Sequence, residues 1–324
     1  GDERLLTSDG EDVNSYGAPP LTMRSINRVR GLDLPEARWS PDGRWILTLQ
    51  TDERHVPLLS LAEYAPLSGV RPVMHANRTS LPGDPKVTEF RMIAIEVATG
   101  RQVEARYPRL NAVRMNSAPF SDGMVWWGAD SRTAYFIDIE RGEQKVHVVA
   151  FDVATGSTRI VFSEESTSYL ELSVNVYTKA LIAPLPDTNE LVWYSERTGR
   201  GHLYLYDLVT GTLRGAITEG EWQVRDVLRV DPDRREIFFL AAGIAEDENP
   251  YIVKPCAASF DGGVRILSAG RGEHLVWRPG HFGLLLKTFE GFDIEQISGL
   301  SPAGDYIVET VSSVTDLPKT WLRG

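Results

Sequence analysis

A short phrase recurs three times along this chain at nearly constant spacing. Residues 95–100, 151–156 and 206–211 read IEVATG, FDVATG and YDLVTG. The glycines that close the three copies are 56 and 55 residues apart. A repeat of this length, built from short strands and polar turns, is typical of the blades of a β-propeller. The repeat therefore predicts an all-β fold and argues against a doubly wound or helical one.

Each repeat can be divided into the four antiparallel strands of one blade. In the first complete copy, the turn at 40–43 reads SPDG, and strands are predicted after it at 44–49 and 89–97. Further strands are predicted at 124–127, 134–138, 145–152, 157–162, 191–194, 202–206, 236–240 and 305–311. These runs are rich in Val, Ile, Trp, Tyr and Phe, which suit a pleated, half-buried surface.

The predicted propeller is one domain, 1–324, with two irregular regions. Residues 1–37 are interpreted as the remnant of a preceding blade, with its outer strand at 3–8, and a connecting segment. Residues 38–324 hold about five blade repeats, and a long Pro-rich insertion occupies 51–88. Propellers close with roughly four to eight blades, so we expect an incomplete arc of a seven- or eight-bladed ring. The open strand edges of such an arc would allow two copies to pair as a homodimer.

Composition disfavours several classes of function. The formal net charge of −11 argues against nucleic acid as a partner, because phosphates require a positive surface. No run of about 18 apolar residues is present, so no membrane-spanning helix is predicted. The first four residues, GDER, are charged and polar, unlike a signal peptide. The compartment stays open, with the cytoplasm favoured over the periplasm.

Side-chain chemistry predicts no catalytic residue, cofactor or metal site. The single cysteine, Cys256, excludes an internal disulfide and is predicted to be a buried, inert thiol. The six histidines show no metal-ligand spacing, and His147 and His202 are predicted to be structural. The adjacent acids Glu164 and Glu165 are interpreted as a solvated turn. Four tryptophans are predicted to lie in the core rather than to form a carbohydrate platform: Trp45, Trp126, Trp127 and Trp193.

Two stretches resemble a known family of propellers. Residues 193–207 read WYSERTGRGHLYLYD, which resembles a blade of dipeptidyl peptidase IV and its relatives containing Trp-x-Ser-Glu-Arg-x-Gly-x-x-His-Leu-Tyr. Residues 38–43, RWSPDG, followed by 52–57, DERHVP, resemble another part of the same propeller. The resemblance extends over nearly the whole chain, from about Glu3 to Arg323. The Ser-Glu-Arg phrase is the more specific signal, since Ser-Pro-Asp-Gly turns occur in many propellers.

The resemblance implies a function that the chain would share with a second domain. In that family the propeller caps an α/β-hydrolase domain with a Ser-Asp-His triad. The expected reaction is hydrolysis of peptide substrates through an acyl-enzyme, with a C-terminal hydrolase domain of the same polypeptide as partner. This sequence contains no Gly-x-Ser-x-Gly nucleophile elbow. We therefore expect the chain to be inactive alone, to gate access to the hydrolase site and to contribute substrate contacts.

The resemblance also directs attention to the segment before Trp39. Family members bind the substrate's free amino terminus with a Glu-Glu pair on a short propeller helix in this region. Here residues 18–30 read APPLTMRSINRVR and contain no acid, although carboxylates suit an ammonium group and arginines repel it. Arg24 and Arg28, with Arg30, are candidates for binding a substrate carboxylate or lining the cavity. A solvated surface, or pairing with nearby acids, is the favoured alternative.

Arg54 and His55 are the remaining candidates for substrate contact. They belong to the sequence DERH at 52–55, where a predicted strand enters the long insertion. These side chains could face the catalytic cavity, or they could brace the insertion with a charge network. Bracing is the favoured interpretation, because charged turns at strand ends are common.

Three functions from different classes follow from these observations. The favoured one is a non-catalytic propeller domain of a dipeptidyl peptidase IV-like serine peptidase. The alternative is a free-standing propeller that acts as a binding or scaffold protein. An enzyme on the propeller itself is disfavoured, because neither paired carboxylates nor a metal cluster occurs at a suitable spacing.

Overall fold

A computed structural model describes most of the chain. The described residues are 3–20, 35–67, 69–111, 119–120, 123–172, 180–268, 270–276 and 298–324. They belong to two compact units, Gly1–Glu165 and Ser166–Gly324. Regular structure in the described ranges is β-strand, apart from one 3-10 helix at Pro186–Thr188, and contains no α-helix. Within these ranges, no helix has the length and apolar character needed to cross a bilayer.

The described part of the first unit contains twelve strands. In chain order they are β1 (Asn14–Tyr16), β2 (Ala37–Trp39), β3 (Trp45–Asp52), β4 (Leu58–Glu63), β5 (Val73–Arg78), β6 (Glu89–Glu96), β7 (Gln102–Glu104), β8 (Leu110–Asn111), β9 (Val125–Trp127), β10 (Thr133–Ile139), β11 (Lys145–Asp152) and β12 (Thr158–Glu165).

These strands form two antiparallel sheets and one separate hairpin. Sheet 1 has the order β1-β3-β6-β7, with β2 also paired to β3 and β8 also paired to β6. Sheet 2 is a regular four-stranded meander, β12-β11-β10-β9. The hairpin β4-β5, which we call the arm, rises from the insertion between β3 and β6.

The described part of the second unit contains eleven strands. They are β13 (Ala183–Leu185), β14 (Glu190–Ser195), β15 (His202–Asp207), β16 (Leu213–Ala216), β17 (Gln223–Asp231), β18 (Glu236–Ala242), β19 (Val253–Ser259), β20 (Gly262–Ile266), β21 (Glu273–Val276), β22 (Ile307–Ser312) and β23 (Lys319–Arg323). Sheet 3 is β13-β14-β15-β16, sheet 4 is β17-β18-β19-β20, and sheet 5 is β21-β22-β23.

The four-stranded antiparallel sheets confirm the predicted blades. Strand β11 occupies the predicted range, and the other predicted strands lie within one to three residues of observed ones. The predicted outer strand at 3–8 was wrong, because those residues belong to no strand. Backbone groups need a neighbouring strand to form a ladder, and in this segment the described contacts are made by side chains instead.

The repeated phrase is a turn held by its own acid. In the third copy, Oδ1 of Asp207 accepts hydrogen bonds from the backbone N–H groups of Val209 and Thr210, both at 2.8 Å. The N–H of Gly211 donates to the carbonyl of Asp207 at 2.8 Å. Gly211 has a φ of 76°, a conformation that glycine adopts without the steric cost of a Cβ. The acid and the glycine of the repeat are therefore both required by the geometry of one turn.

Arginines from neighbouring segments bind the repeated turn in both sheet 1 and sheet 2. Arg4 donates to the carbonyls of Val97 and Ala98, which lie in the first copy of the turn. Arg101 and Arg106 donate to the second copy, at Ala154 O (3.2 Å) and Thr155 O (2.7 Å) respectively. Exposed turn carbonyls thus obtain charged donors from a neighbouring element.

Apolar side chains of facing strands form the core of each unit. In the first unit one cluster joins sheets 1 and 2 and includes Trp45, Leu47, Phe90, Phe136 and Phe151. In the second unit another cluster includes Tyr194, Leu203, Ile237, Phe239 and Cys256. The prediction that the four strand tryptophans are core residues is confirmed, since all four are buried. Cys256 is also buried, and burial raises the pKa of its thiol to about 12.

Candidate functional site

The predicted pair Arg54 and His55 lies at the base of the arm. Strand β3 ends at Asp52 and the arm begins at Leu58, so both residues lie in the short connection. His55 Nε2 is 2.9 Å from the carbonyl oxygen of Val87, on the returning connection. Because a carbonyl can only accept, Nε2 carries the hydrogen. His55 therefore joins the two ends of the insertion.

Asp52 is the buried centre of this connection. Arg54 donates from Nε to Oδ1 of Asp52 at 2.9 Å and from Nη2 to Oδ2 at 2.7 Å. Arg109 adds a third charged hydrogen bond, from Nη1 to Oδ2 at 3.2 Å. The side chain of Asp52 is 7% exposed, whereas that of Arg54 is 53% exposed. A buried carboxylate thus holds a guanidinium that still reaches solvent.

The arginines lower the pKa of Asp52 well below its usual value. The hydrogen bond from Arg54 is the largest cause, and it outweighs burial, which raises the pKa. Charges of Arg54 and Arg109 add to the effect, and the pKa is about 2. The Arg54 guanidinium correspondingly has a raised pKa, through its hydrogen bond with Asp52. The pair is therefore ionised across the neutral range, and Arg54 presents a permanent positive charge.

Arg78 completes the brace between the arm and the sheet. From the end of β5 it donates to the carbonyls of Val56, at 2.7 Å, and Arg54, at 3.2 Å. With His55, it ties both ends of the insertion to one short segment. The favoured interpretation of this region, a charge network that braces the insertion, agrees with these contacts.

The arm itself presents an unusual number of exposed apolar side chains. Exposed members on its strands and connecting turn are Leu58, Leu61, Tyr64, Leu67, Val70, Val73 and Met74. A two-stranded hairpin alone is marginally stable in water, and contiguous exposed apolar patches mark interaction surfaces. The arm is therefore a second candidate functional feature beside the charged cluster at its base.

The other sequence candidates lie elsewhere or outside the described residues. Arg24, Arg28 and Arg30 fall in the range 21–34, which is not among the described residues. Glu164 and Glu165 do not form a solvated turn, because both lie in β12, where Glu165 pairs with Lys145 at 2.5 Å. The turn was predicted too early because β12 continues to Glu165, three residues beyond the predicted end of the strand.

Arg109 is the member of the Asp52 cluster that sequence reasoning missed. It lies 57 residues from Asp52 and follows no motif that singles it out. Its Nε also lies 3.8 Å from the Glu89 carboxylate at the start of β6. Only the pairing of β3 with β6 and of β6 with β8 brings these side chains together.

The Ser-Glu-Arg phrase has a structural explanation. Arg197 donates from Nε to the hydroxyl of Ser195 at 2.9 Å and from Nη1 to the hydroxyl of Tyr206 at 2.9 Å. Its guanidinium lies 4.3 Å from the ring centroid of Tyr204, which is within cation–π distance. The phrase therefore closes the β14-β15 hairpin by binding an arginine over two tyrosines.

His147 and His202 have structural contacts, as predicted. His202 Nε2 is 3.0 Å from the Gly220 carbonyl, and Nδ1 is 3.1 Å from the Thr218 hydroxyl. His147 lies 2.6 Å from the Ser163 hydroxyl and 3.0 Å from the Glu140 carboxylate. Among the described residues, no group of three or more His, Cys, Asp or Glu side chains could hold a metal ion.

Repeated four-stranded antiparallel sheets, short polar turns and inter-sheet arginines define the protein as a β-propeller protein. Comparison of its sequence with family models then matches residues 2–277 to the dipeptidyl peptidase IV (DPP IV) N-terminal region. The match covers well over half of the chain. The protein belongs to the family of dipeptidyl peptidase IV N-terminal regions.

Curated relatives agree with this assignment. The chain is 26% identical over 214 residues to a probable dipeptidyl peptidase 4 of Neosartorya fischeri, covering 63% of this chain and 26% of the relative. It is 24% identical over 248 residues to a probable dipeptidyl peptidase 4 of Aspergillus flavus, covering 73% of this chain and 30% of the relative. The chain therefore spans less than a third of the length of these relatives.

Solved structures share the fold at low sequence identity. The dipeptidyl peptidase 4 of Porphyromonas gingivalis superposes with a TM-score of 0.66 at 16% identity, over 98% of this chain and 39% of that chain. A dipeptidyl aminopeptidase IV, described as putative, from Bacteroides ovatus has a TM-score of 0.66 at 17% identity, over 99% of this chain and 41% of that one. Both likenesses extend across both units.

Proposed function

We propose that this chain is the propeller part of a dipeptidyl peptidase IV-like serine peptidase. The family match over residues 2–277 carries the proposal. The reaction would be peptide-bond hydrolysis through an acyl-enzyme. The nucleophile, the general base and the oxyanion donors would lie on an α/β-hydrolase domain outside this chain. The chain itself contains no Gly-x-Ser-x-Gly motif. The propeller would gate entry of peptides to that domain and supply part of their binding site.

Arg54 is our proposed substrate contact. Two of its nitrogens, Nε and Nη2, are used by Asp52, and Nη1 makes no hydrogen bond to the described residues. A fixed, half-exposed guanidinium with a free donor suits a peptide carbonyl or carboxylate. Arg109 would act indirectly, by holding Asp52 in place. His55 would position the segment, through Val87, rather than touch the peptide.

The test uses the protein extended to its natural termini. Short proline-containing peptides with free and blocked amino termini are offered as substrates. Cleavage of either class supports the peptidase assignment, and the preference between them shows whether a free ammonium group is required. Absence of cleavage, together with absence of a hydrolase domain from the extension, would overturn the proposal and favour a free-standing binding propeller.

Substrate contact by Arg54 is tested within the same enzyme. Arg54→Met is compared with Arg71→Met, which removes the same charge from the connecting turn of the arm. Arg54→Met should raise KM at least tenfold, while Arg71→Met leaves it within twofold. Equal kinetics for both variants would show that Arg54 only braces the arm.

Gating is tested by deleting the propeller from the enzyme. Deletion of the propeller should relax selection against long peptides, and unchanged size selectivity would argue against gating.

We propose in addition that two copies associate through the arm. The exposed apolar side chains of β4 and β5 and the free edges of this hairpin support an isologous contact. Leu61→Glu with Met74→Glu should convert a dimer to a monomer in analytical ultracentrifugation, without changing the far-UV spectrum. A wild-type protein that is monomeric at all concentrations would exclude this contact.

A further inference from the structure

A cluster of ionisable side chains is buried between sheets 4 and 5 of the second unit. Lys254 lies on β19, His274 on β21, Glu309 on β22, and Glu248 in the connection before β19. The side chains of His274 and Glu309 are 0% exposed, and those of Lys254 and Glu248 are 4% and 7% exposed. Burying so many charges is costly unless each is paired and hydrogen-bonded. Their arrangement therefore defines which of them carry protons.

The three donors of Lys254 are all used. Its Nζ lies 2.8 Å from Oε2 of Glu248 and 3.1 Å from Nε2 of His274, and it donates to the carbonyl of Gly270. An ammonium group has three N–H donors and no lone pair. His274 Nε2 must therefore be the acceptor and carries no proton. The Gly270 carbonyl also lies near this nitrogen, at 3.3 Å, but Lys254 is its closer partner.

The other ring nitrogen of His274 is the donor. Nδ1 lies 2.7 Å from Oε2 of Glu309, and a carboxylate can only accept. The second oxygen of Glu309 accepts from the Ser268 hydroxyl and from Nε of Arg323 on β23. Burial raises the pKa of Glu309, but these donors lower it by more, so that it lies below its usual value of 4.5. His274 is thus neutral and protonated on Nδ1.

The charges of the cluster balance only in this state. Lys254 and Arg323 are positive, and Glu248 and Glu309 are negative. The carboxylate of Glu273, on the same strand as His274, accepts a hydrogen bond from the backbone N–H of Val253 on β19, with Oε2 and N 3.1 Å apart. A proton on His274 Nε2 would replace an acceptor with a donor directed at the Lys254 ammonium. It would also add an unbalanced positive charge to a buried site, where solvent screens charges only weakly.

We propose that this cluster is a pH-sensitive latch, which holds sheet 5 against β19 while His274 is neutral and opens when Nε2 is protonated. These sheets also contact each other through the apolar cluster that includes Phe238, Leu240, Val276 and Ile307, and through Arg229 and Arg234, which donate to the turn before β22. Opening would therefore be local to β21–β23, and acid would change the mobility of sheet 5 while sheets 3 and 4 stay folded. A propeller of this family could in this way change its structure with the acidity of its surroundings.

Hydrogen exchange of the wild-type chain tests the latch. Protection of amides in β21 and β22 is compared with that in β18, between about pH 8 and pH 5, where histidines generally change charge. After correction for intrinsic exchange, protection in β21 and β22 should fall as the pH falls, by up to about tenfold per pH unit for one proton taken up on opening. Protection in β21 and β22 that equals that in β18 throughout this range, or that does not fall with the pH, would overturn the proposal.

Replacing Lys254 should reverse the direction of the pH response. In Lys254→Met the cluster keeps one positive and two negative charges, so protonated His274 would balance it. Acid should then increase protection in β21, the reverse of wild type. The matched control is Lys319→Met, which removes an exposed lysine from β23 of the same sheet and should behave as wild type. Unchanged acid sensitivity in Lys254→Met would exclude the latch.

A measurement on unmodified protein covers the case in which Lys254→Met fails to fold. Imidazole ¹⁵N NMR distinguishes the two neutral tautomers of histidine. His274 should show the Nδ1–H tautomer at neutral pH. His202, in the same unit, should show the opposite tautomer, because its Nε2 faces a carbonyl. An Nε2–H tautomer or an imidazolium at His274 would overturn the proposal.

Discussion

Asp52 and Arg54, two residues apart, form a two-pronged ion pair at the point where a core strand becomes the arm. Nε and Nη2 of Arg54 lie 2.9 Å and 2.7 Å from the two oxygens of Asp52. The acid is buried and the base half-exposed. The pair therefore fixes a surface cation from below, while it also fastens the arm.

Neutralising Asp52 should destabilise the first unit in a pH-dependent way. Its folded pKa of about 2 lies below the usual 3.8. Stability from this group is therefore fully present above about pH 4 and is lost as the pH falls toward 2. Because Arg54 is half-exposed, we expect Asp52→Asn to cost about 1–2 kcal/mol at pH 7 and almost nothing near pH 2.

Urea unfolding at several pH values measures this cost. Asp233→Asn serves as control, because Asp233 is an exposed acid of a turn in sheet 4, where substitution should change stability by less than about 0.5 kcal/mol. A loss of stability in Asp52→Asn that persists unchanged at the lowest pH would show that packing, not charge, is responsible.

The glycines of the repeated turn should differ in their tolerance of alanine. Gly100 and Gly156 have φ values of 76° and 82°, so a Cβ costs about 1 kcal/mol at either position. At Gly156 a Cβ would also lie 2.8 Å from the backbone oxygen of Glu104, whereas at Gly100 it would meet nothing within 4 Å. Gly156→Ala should therefore cost about 1–3 kcal/mol more than Gly100→Ala.

Thermal and urea unfolding of the two alanine variants give the difference directly. Each variant is the other's control, since the two glycines occupy the same position in two copies of the turn within one unit. Equal losses of stability would mean that the neighbouring strand moves away from Gly156 without cost, and that the contact between the sheets is not tight.

Sequence alone could predict the blades because their signals are local. The Thr-Gly turn needs an acid, a glycine and a few residues between them, as at Asp207 and Gly211, so each copy of the sequence reproduces the structure. Strands such as β11 follow from apolar runs between such turns. The expected strand at 3–8 failed, because no local pattern shows whether a partner strand is present to accept its hydrogen bonds.

The candidate sites could be predicted only in part, because residues that are distant in sequence meet only in the fold. Arg54 and His55 stood out because they interrupt a strand. Arg109, their partner through Asp52, is distant in sequence and belongs to no motif. The same holds for Glu190, buried between Arg214 and Arg235, each at 2.9 Å. Buried charges are paired by the fold, and strand register decides the partner.

Gly201 should not tolerate a side chain. A Cβ at this position would lie 2.1 Å from the hydroxyl oxygen of Tyr194 and 2.6 Å from Cζ of the same ring. Tyr194 is fully buried in the second unit's core, so its ring cannot move aside cheaply. We expect Gly201→Ala to lower stability by about 2–4 kcal/mol.

Gly215→Ala is the matched control for Gly201→Ala. It lies on β16 of the same sheet, and a Cβ there would meet nothing within 4 Å. Its effect on the urea midpoint should be small. If both variants unfold at the same urea concentration, the contact between Gly201 and Tyr194 does not restrict the β14-β15 hairpin.

Acid should also destabilise the second unit through His202. Burial lowers its pKa below the usual 6.5, more than the hydrogen bond to the Gly220 carbonyl raises it. The Thr218 hydroxyl accepts from the N–H of Leu203 at 2.9 Å, so its own hydrogen is directed to Nδ1 of His202. A depressed histidine pKa leaves stability intact above about pH 6.5 and removes it as the pH falls, by at most about 1.4 kcal/mol per pH unit.

His202→Gln keeps a donor for Gly220 and an acceptor for Thr218 but cannot titrate. Between pH 7 and pH 5, at intervals of about one unit, wild type should lose more stability in urea than this variant does, and parallel curves would show that His202 takes no part in the acid response.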